Sequence, residues 1–477
     1  MQFNSIIFGL FFPVVFVGYW SVGGHRRQWQ NLWLLIANCA FYWWWDWRFL
    51  SLIFGAALID YAIGLKLEKA ERVVSRKVWL GLSLLVNLGL LGFFKYFNFF
   101  SESLSGLLHV LGMQSDLPTV RLILPLGISF YTFQRLSYTL DLYRKQIPAT
   151  HDLLGFLTFS SFFPLMVAGP IERAKRLLPQ FVKQRQFDTD LAKDGLRQIL
   201  WGLFRKIVIA DNLIAPVNVA FRDYASMNGI DLAIGAFLYT IQIYVDFSAY
   251  SDIAMGVGKL LGFRIMRNFA YPYFSRDIGE FWRRWHISMS SWFRDYVYTP
   301  LSMKVSLARR WRRMLNILIT FAVSGLWHGA NWTFVTWGLL NGLFFAPITL
   351  GKAPERDSAM VAEGILLPSP SDALRIAATF LFVMLAWVFF RADSLSQAFG
   401  YLQALFTHSW LSFPRYAMQV ACCVALLAVE WLRRDHIHAL QRMTIPVSAR
   451  WALYVMMSLA ILIFGNFGGQ EFVYAIF

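Results

Sequence analysis

The chain has 477 residues, of which 57% are hydrophobic, 18% aromatic and only 15% charged, and its mean hydropathy is +0.48. About a quarter of the residues in a soluble domain are charged, and long apolar runs recur here from end to end, so a soluble or disordered class is excluded and an all-α polytopic integral membrane protein is indicated. The net charge of +16 does not argue for nucleic acid, because the basic residues stand in short clusters between apolar runs, where cytoplasmic loops carry them.

The first twenty residues, MQFNSIIFGLFFPVVFVGYW, lack a positive n-region and no small-residue cleavage site follows, so they read as a retained span rather than a signal peptide. Spans are expected near residues 5–20, 30–44, 48–64, 78–96, 122–143, 229–246, 249–262, 312–330, 331–350, 373–390, 417–432 and 451–466. Two further runs, 152–169 and 197–220, are shorter or interrupted by proline and charge and read as re-entrant or interfacial. The sum is about eleven to thirteen crossings in a single membrane domain, 1–477.

Orientation follows from the basic clusters. HRR at 25–27 and KLEKAERVVSRK at 66–77 are separated by two spans and share a side, which the positive-inside rule makes cytoplasmic. The N-terminus then starts outside, and FNFFSESLSGLLHVLGMQSDLP, free of Lys and Arg, faces outward too. The basic stretch 433–450 is expected inside, which leaves one last span and an outer tail, 467–477. GKAPERDSAMVAEGILLPSPSD, 351–372, reads as a connector ahead of the C-terminal helices, 373–466. Cys39, Cys422 and Cys423 lie in apolar runs and suggest neither a disulfide framework nor a thiolate metal site.

Chemistry concentrates in two stretches. In DIGEFWRRWHISMSSWFRDYVYTPL, 277–301, a helical reading puts Trp282, Trp285, Met289 and Trp292 on one apolar stripe with Arg283, Arg284 and Arg294 elsewhere. Such a segment lies at an interface or lines a cavity, and Arg283 and Arg284 either snorkel to headgroups or hold the phosphates of a cytoplasmic donor. SGLWHGANW, 324–332, ends an apolar run on His328. An imidazole near hydrocarbon carries a desolvation cost and needs a structural partner or a job. The job open to a neutral histidine is to take the proton of a hydroxyl, with Asn331, the Trp327 N–H or the backbone around Gly329 facing a developing oxyanion. His286 then orients that base or binds donor or acceptor. A helix-to-helix hydrogen bond is the structural alternative for either ring.

The other histidines, His25, His109, His151, His408, His436 and His438, sit in polar or charged settings and read as surface groups; no metal is expected, since HIH at 436–438 has no third ligand at a metal-site spacing. Asp246 and Asp252 in VDFSAYSD, and Arg135, Asp141 and Arg144, are functional candidates as intramembrane charges, but the favoured reading is of ion-pairing groups that fix helix packing.

WRRWHISMSSWFRDYVYTPL followed by GLWHGANW closely resembles the membrane-bound O-acyltransferase family, in the bacterial branch that includes the alginate-acetylating membrane protein and, more distantly, the D-alanine-transfer protein of teichoic acid. The likeness extends upstream through ILPLGISFYTFQRLSYTLDLYR, FFPLMVAGPIER and YVDFSAYSDIAMGVGKLLGFRIMRNFAYPY, densest over 120–345. The resemblance implies that His328 is the catalytic histidine and His286 the second active-site histidine. It also implies a helical fold around a central tunnel, reached by the donor from the cytoplasm and by the acceptor from outside. The function so implied, in a bacterial cytoplasmic membrane, is transfer of a short acyl group for O-acetylation of an exported polysaccharide such as alginate, cellulose or peptidoglycan. Acetyl-CoA is the expected donor substrate, no tightly bound cofactor is expected, and a separate extracytoplasmic acetyltransferase partner is expected to complete the transfer.

FVYAIF at the C-terminus has the F-x-Y-x-x-F form found in that transfer system, which makes Tyr474 a candidate acyl acceptor; an aromatic interface anchor is the alternative. The other functions compatible with these residues are D-alanyl transfer of the teichoic-acid type and a non-enzymatic transporter or channel. The sequence carries no inverted repeat of the kind transporters show.

Overall fold

The computed structural model describes residues 1–23, 26–113, 117–120, 123–167, 169–303, 309–350, 361–411, 413 and 415–467. Every regular element among them is helical. Six of these helices are long and apolar enough to cross a membrane: Arg48–Lys69, Val73–Val110, Gly229–Leu260, Trp332–Leu350, Pro370–Arg391 and Val447–Phe464. Ile6–Val22, Leu153–Met166 and Ala417–Leu432 are shorter and equally apolar. The chain is an all-α, multi-pass membrane protein.

Two compact units are formed, one from residues 1–196 and 254–266, the other from 197–253 and 267–477. In the first unit the Ile128–Tyr143 helix is buried almost throughout, and its Arg135 is held at the centre. That guanidinium donates to the carbonyl of Ile53 and to Asn87 Oδ1, and faces Asp60 at 3.6 Å. Asp60 also accepts from Ser83 and Asn87. A buried cation is stable only with such a complete set of partners, and removing one typically costs about 3–5 kcal/mol. The expectation that Arg135 fixes packing is met by this geometry. The run 152–169 is not one span: Leu153–Ser160, capped by Asp152, stops before a second short helix, Phe163–Met166.

In the second unit, VDFSAYSD lies within one unbroken helix. The two spans expected at 229–246 and 249–262 are instead Gly229–Leu260, 32 residues long, which rises about 48 Å and so exceeds one hydrocarbon thickness of about 30 Å without reaching two. The helix runs unbroken through FSAYS, and the carboxylates on either side of it are satisfied sideways. Asp246 pairs with Lys206 at 2.6 Å, and Asp252 pairs with Arg205 and accepts from Gln198. Arg205 also binds Glu430 at 3.1 Å and Ser248 at 2.9 Å. Both basic residues sit in a π-helical turn, Phe204–Ala210, where the widened backbone puts consecutive cations into the interior.

Arg310–His328 and Trp332–Phe344 form a hairpin whose glycines set the spacing. A Cβ on Gly325 would stand 2.2 Å from the carbonyl oxygen of Phe334, and one on Gly338 would stand 2.2 Å from that of Phe321. No other residue fits at that approach. The segment expected as a single amphipathic helix over 277–301 is broken: Ile278–Arg284 ends, and Ile287–Phe293 begins after His286 at φ +40°. Trp282, Trp285, Met289 and Trp292 are all buried, so both pieces are interior structure rather than a helix lying on headgroups.

Candidate active site

His328 is the last residue of the Arg310–His328 helix, where Gly329 turns the chain in an extended conformation toward the N-cap of the next. Asn331 supplies that cap, accepting from the Thr333 N–H at 3.0 Å while its Nδ2 donates to the carbonyl of Asp393. The WHGAN sequence is thus a helix end, a tight turn and a helix start in five residues. Its effect is to hold the His328 ring inside the unit, 2% exposed.

His286 reaches the same place from the break between the two short helices. A left-handed histidine is uncommon and such backbone strain costs about 1–3 kcal/mol, which points to a side chain whose placement matters. Its ring is fully buried between Phe247 and Phe269, with centroids at 4.6 and 6.2 Å. Burial alone drives the imidazole pKa down to about 3, so the ring is neutral at any working pH. Nδ1 lies 2.9 Å from Asn268 Oδ1, which also accepts from Ser288 Oγ at 2.9 Å. Nε2 is buried without a hydrogen-bond partner among the described residues.

The two histidine rings stand 6.5 Å apart, centroid to centroid, with Trp327 beside both at 6.1 and 4.9 Å. Trp337 and Phe390 close on His328 at 5.1 and 5.3 Å. Behind them Trp387 stacks on Trp337 and contacts Trp285. The indole N–H groups of Trp282, Trp285 and Trp387 are buried with no acceptor among the described residues. Buried N–H donors are costly unless satisfied. An aromatic surround with two imidazoles and indole donors unpartnered among the described residues suits a small ligand rich in oxygen acceptors.

Among the sequence candidates, His286, His328 and Trp327 are brought together. Asn331 is near in sequence but its amide is committed to capping. Arg283 is exposed, and Arg284 is tied to Glu280 at 2.7 Å. Tyr474 and His25 lie outside the described residues, as do residues 351–360 of the expected connector. His438 is not at the surface as expected but buried, and His408 is half-buried against the carbonyl of Met227. Sequence reading missed Asn268, Phe247, Trp337, Trp387 and Phe390. Asn268 and Phe269 stand in the RNFAYPY stretch, whose polar residue inside an aromatic run was the available signal.

The model of the MBOAT, membrane-bound O-acyltransferase family, matches residues 39–362, two thirds of the chain and both histidines with it. The chain belongs to that family and is an O-acyltransferase. It is 40% identical over 408 residues to the probable alginate O-acetylase AlgI of Pseudomonas aeruginosa, covering 85% of this chain and 75% of the relative. It is 32% identical over 489 residues to the peptidoglycan O-acetyltransferase of Helicobacter pylori, covering 96% and 88%. A more distant relative is the teichoic acid D-alanyltransferase of Streptococcus thermophilus, 29% identical over 284 residues, covering 56% and 68%.

Proposed function

We propose that this protein transfers an acetyl group from a cytoplasmic thioester, acetyl-CoA, toward the O-acetylation of an exported polysaccharide. The observation that carries the reading is the pair of buried imidazoles 6.5 Å apart where the Arg310–His328 helix ends. An acyl thioester needs only a nucleophile relieved of its proton and an environment that tolerates the oxyanion. His328 takes the hydroxyl proton, a role worth about 10²- to 10⁴-fold. The alcohol oxygen bonds to the acyl carbon, the carbon–sulfur bond breaks, and the imidazolium returns its proton to the departing thiolate. Trp327 and its neighbours exclude water, which protects the thioester from hydrolysis.

The acceptor approaches from outside, where the positive-inside rule puts the His328 end of its helix. Tyr474 on the outer tail is a candidate relay, since a phenol of pKa near 10 gives up its proton more readily than a sugar hydroxyl. An extracytoplasmic partner with its own polymer specificity then completes the transfer. Arg283, exposed at the end of its short helix, is the candidate for donor phosphates, and Arg284 supports that helix through Glu280. The names of the alginate and peptidoglycan relatives support acetyl as the acyl group and a glycan as the destination.

The test is His328→Ala in the producing bacterium, scored for membrane abundance and polymer ester content. Ester falls to background with normal abundance under this reading; unchanged ester overturns it. Tyr474→Phe keeps the ring and removes the hydroxyl, and normal acetylation in that variant rules out the aryl-ester relay.

A further inference from the structure

Asn268 lies 18 positions before His286 in the chain, yet its bonds converge on that residue. Its backbone carbonyl accepts the N–H of Ile287 at 2.8 Å, fixing the residue just after His286. Its Nδ2 donates to Ser251 Oγ at 3.2 Å. Its Oδ1 accepts from Ser288 Oγ at 2.9 Å and lies 2.9 Å from His286 Nδ1. The backbone N–H of Ser288, which can only donate, meets the same atom at 3.4 Å and so places the amide oxygen, not the nitrogen, toward the imidazole. An oxygen there accepts only from a protonated Nδ1. The proton of the neutral ring is then on Nδ1, and Nε2 keeps its lone pair.

We propose that Asn268 is a positioning residue: it holds His286 in the Nδ1–H tautomer, so that Nε2 acts as the hydrogen-bond acceptor that orients His328 and supports the imidazolium formed there during acyl transfer. This rests on the reading of His328 as the base. The logic is that of any base oriented by a second group and that group by a third. The His286 ring passes on no proton; the proton taken from the alcohol resides on His328 and leaves with the thiolate. With the centroids 6.5 Å apart and each nitrogen about 1.1 Å from its centroid, facing nitrogens come no closer than about 4.3 Å, too long for a direct hydrogen bond; a single bridging oxygen closes that gap, since two hydrogen bonds of about 2.8 Å meeting at a tetrahedral angle span about 4.6 Å. Among the described residues, the groups facing His286 are Phe247, Phe269, Asn268, Ser288, Trp327 and His328, of which His328 is the one with an ionisable side chain.

The experiment uses membranes containing the full-length protein, with labelled acetyl-CoA and transfer measured from pH 5 to 9 for wild type, His328→Ala, Asn268→Leu and Asn268→Asp. Asn268→Leu keeps the volume but offers no acceptor, and transfer falls about 10²-fold at every pH, as for loss of a base's orienting group. Asn268→Asp still accepts from Nδ1–H, so transfer at pH 8 to 9 stays within about tenfold of wild type. Its carboxylate also favours the His286 imidazolium, which has no lone pair on Nε2. A rise of about two units or more from its value of about 3 brings the His286 titration to the lower edge of the measured range, so transfer between pH 5 and 6 falls further below its pH 8 value than in wild type, where His286 stays neutral throughout. A role in folding alone lowers abundance and leaves the profile of the surviving protein in place. Wild-type transfer in Asn268→Leu, or an Asn268→Asp profile that overlays wild type, overturns the proposal. If wild-type membranes transfer no acetyl, or His328→Ala transfers normally, it is the underlying reading of function that falls.

Discussion

Burying His286 disfavours its cation, so the ring's ordinary pKa of 6.5 drops to about 3. A group whose folded pKa is depressed stabilises the fold fully above its unfolded pKa and withdraws that stability as pH falls toward the folded value. Between pH 6.5 and 3, His286 thus removes up to about 1.4 kcal/mol per pH unit. The melting temperature of the detergent-solubilised protein is expected to drop on acidification below pH 6.5, and His286→Gln is expected to flatten that slope; equal slopes contradict the assignment. At this scale the sequence pointed to His328, because tryptophan and glycine around a histidine at the end of an apolar run have no cheap structural explanation, and the family resemblance pointed to His286. It did not show Asn268, whose role depends on a contact between residues 18 apart across a backbone break, nor Trp387, which meets the site only through helix packing.

Helices came through the sequence where apolar runs are bounded by charge or proline, as at Arg310–His328 and Pro370–Arg391. They came through poorly where polarity and helix end part company. The two spans expected at 229–246 and 249–262 are one helix whose Asp246 and Asp252 are held by Lys206 and Arg205, and the regular tryptophans of 277–301 hid a break at a left-handed histidine. Two element-scale outcomes follow. Gly325→Ala drives a methyl into the carbonyl of Phe334, and rigid backbone cannot yield as a side chain can, so a loss of about 1–3 kcal/mol or more is expected as a lowered melting temperature with the His pair unchanged in composition. Arg205→Met leaves Asp252 and Glu430 facing each other without their shared cation, and about 3–5 kcal/mol is at stake, read as reduced membrane abundance. Normal abundance in the Arg205→Met protein refutes the view that this cluster ties Gly229–Leu260 to Ala417–Leu432.

On the scale of the molecule, the second unit carries its own sidedness. The Arg310–His328 helix begins in a basic cluster, Arg309, Arg310, Arg312 and Arg313, and its 19 residues rise about 28 Å before reaching His328. The returning strand of the hairpin ends beside that start, where Arg310 donates to the carbonyl of Leu350 at 2.7 Å. Residues 361–366 gather on the basic stretch near 433, with Arg434 donating to the carbonyls of Ala362 and Ile365 and Trp431 to that of Leu366. At the other end of the hairpin, Asn331 holds the carbonyl of Asp393 just after the Pro370–Arg391 helix. The positive-inside rule then predicts 310, 363 and 434 on the cytoplasmic side and 331 and 393 on the outer side. Replacing Cys39, Cys422 and Cys423 with serine or alanine and introducing Asp393→Cys or Glu363→Cys separately makes this measurable. An impermeant maleimide added to spheroplasts is expected to label the Asp393→Cys protein directly and the Glu363→Cys protein only after permeabilisation. The reverse pattern would put the His328 end of the hairpin in the cytoplasm, beside the donor, and the acceptor would then need a route through the whole thickness of the protein.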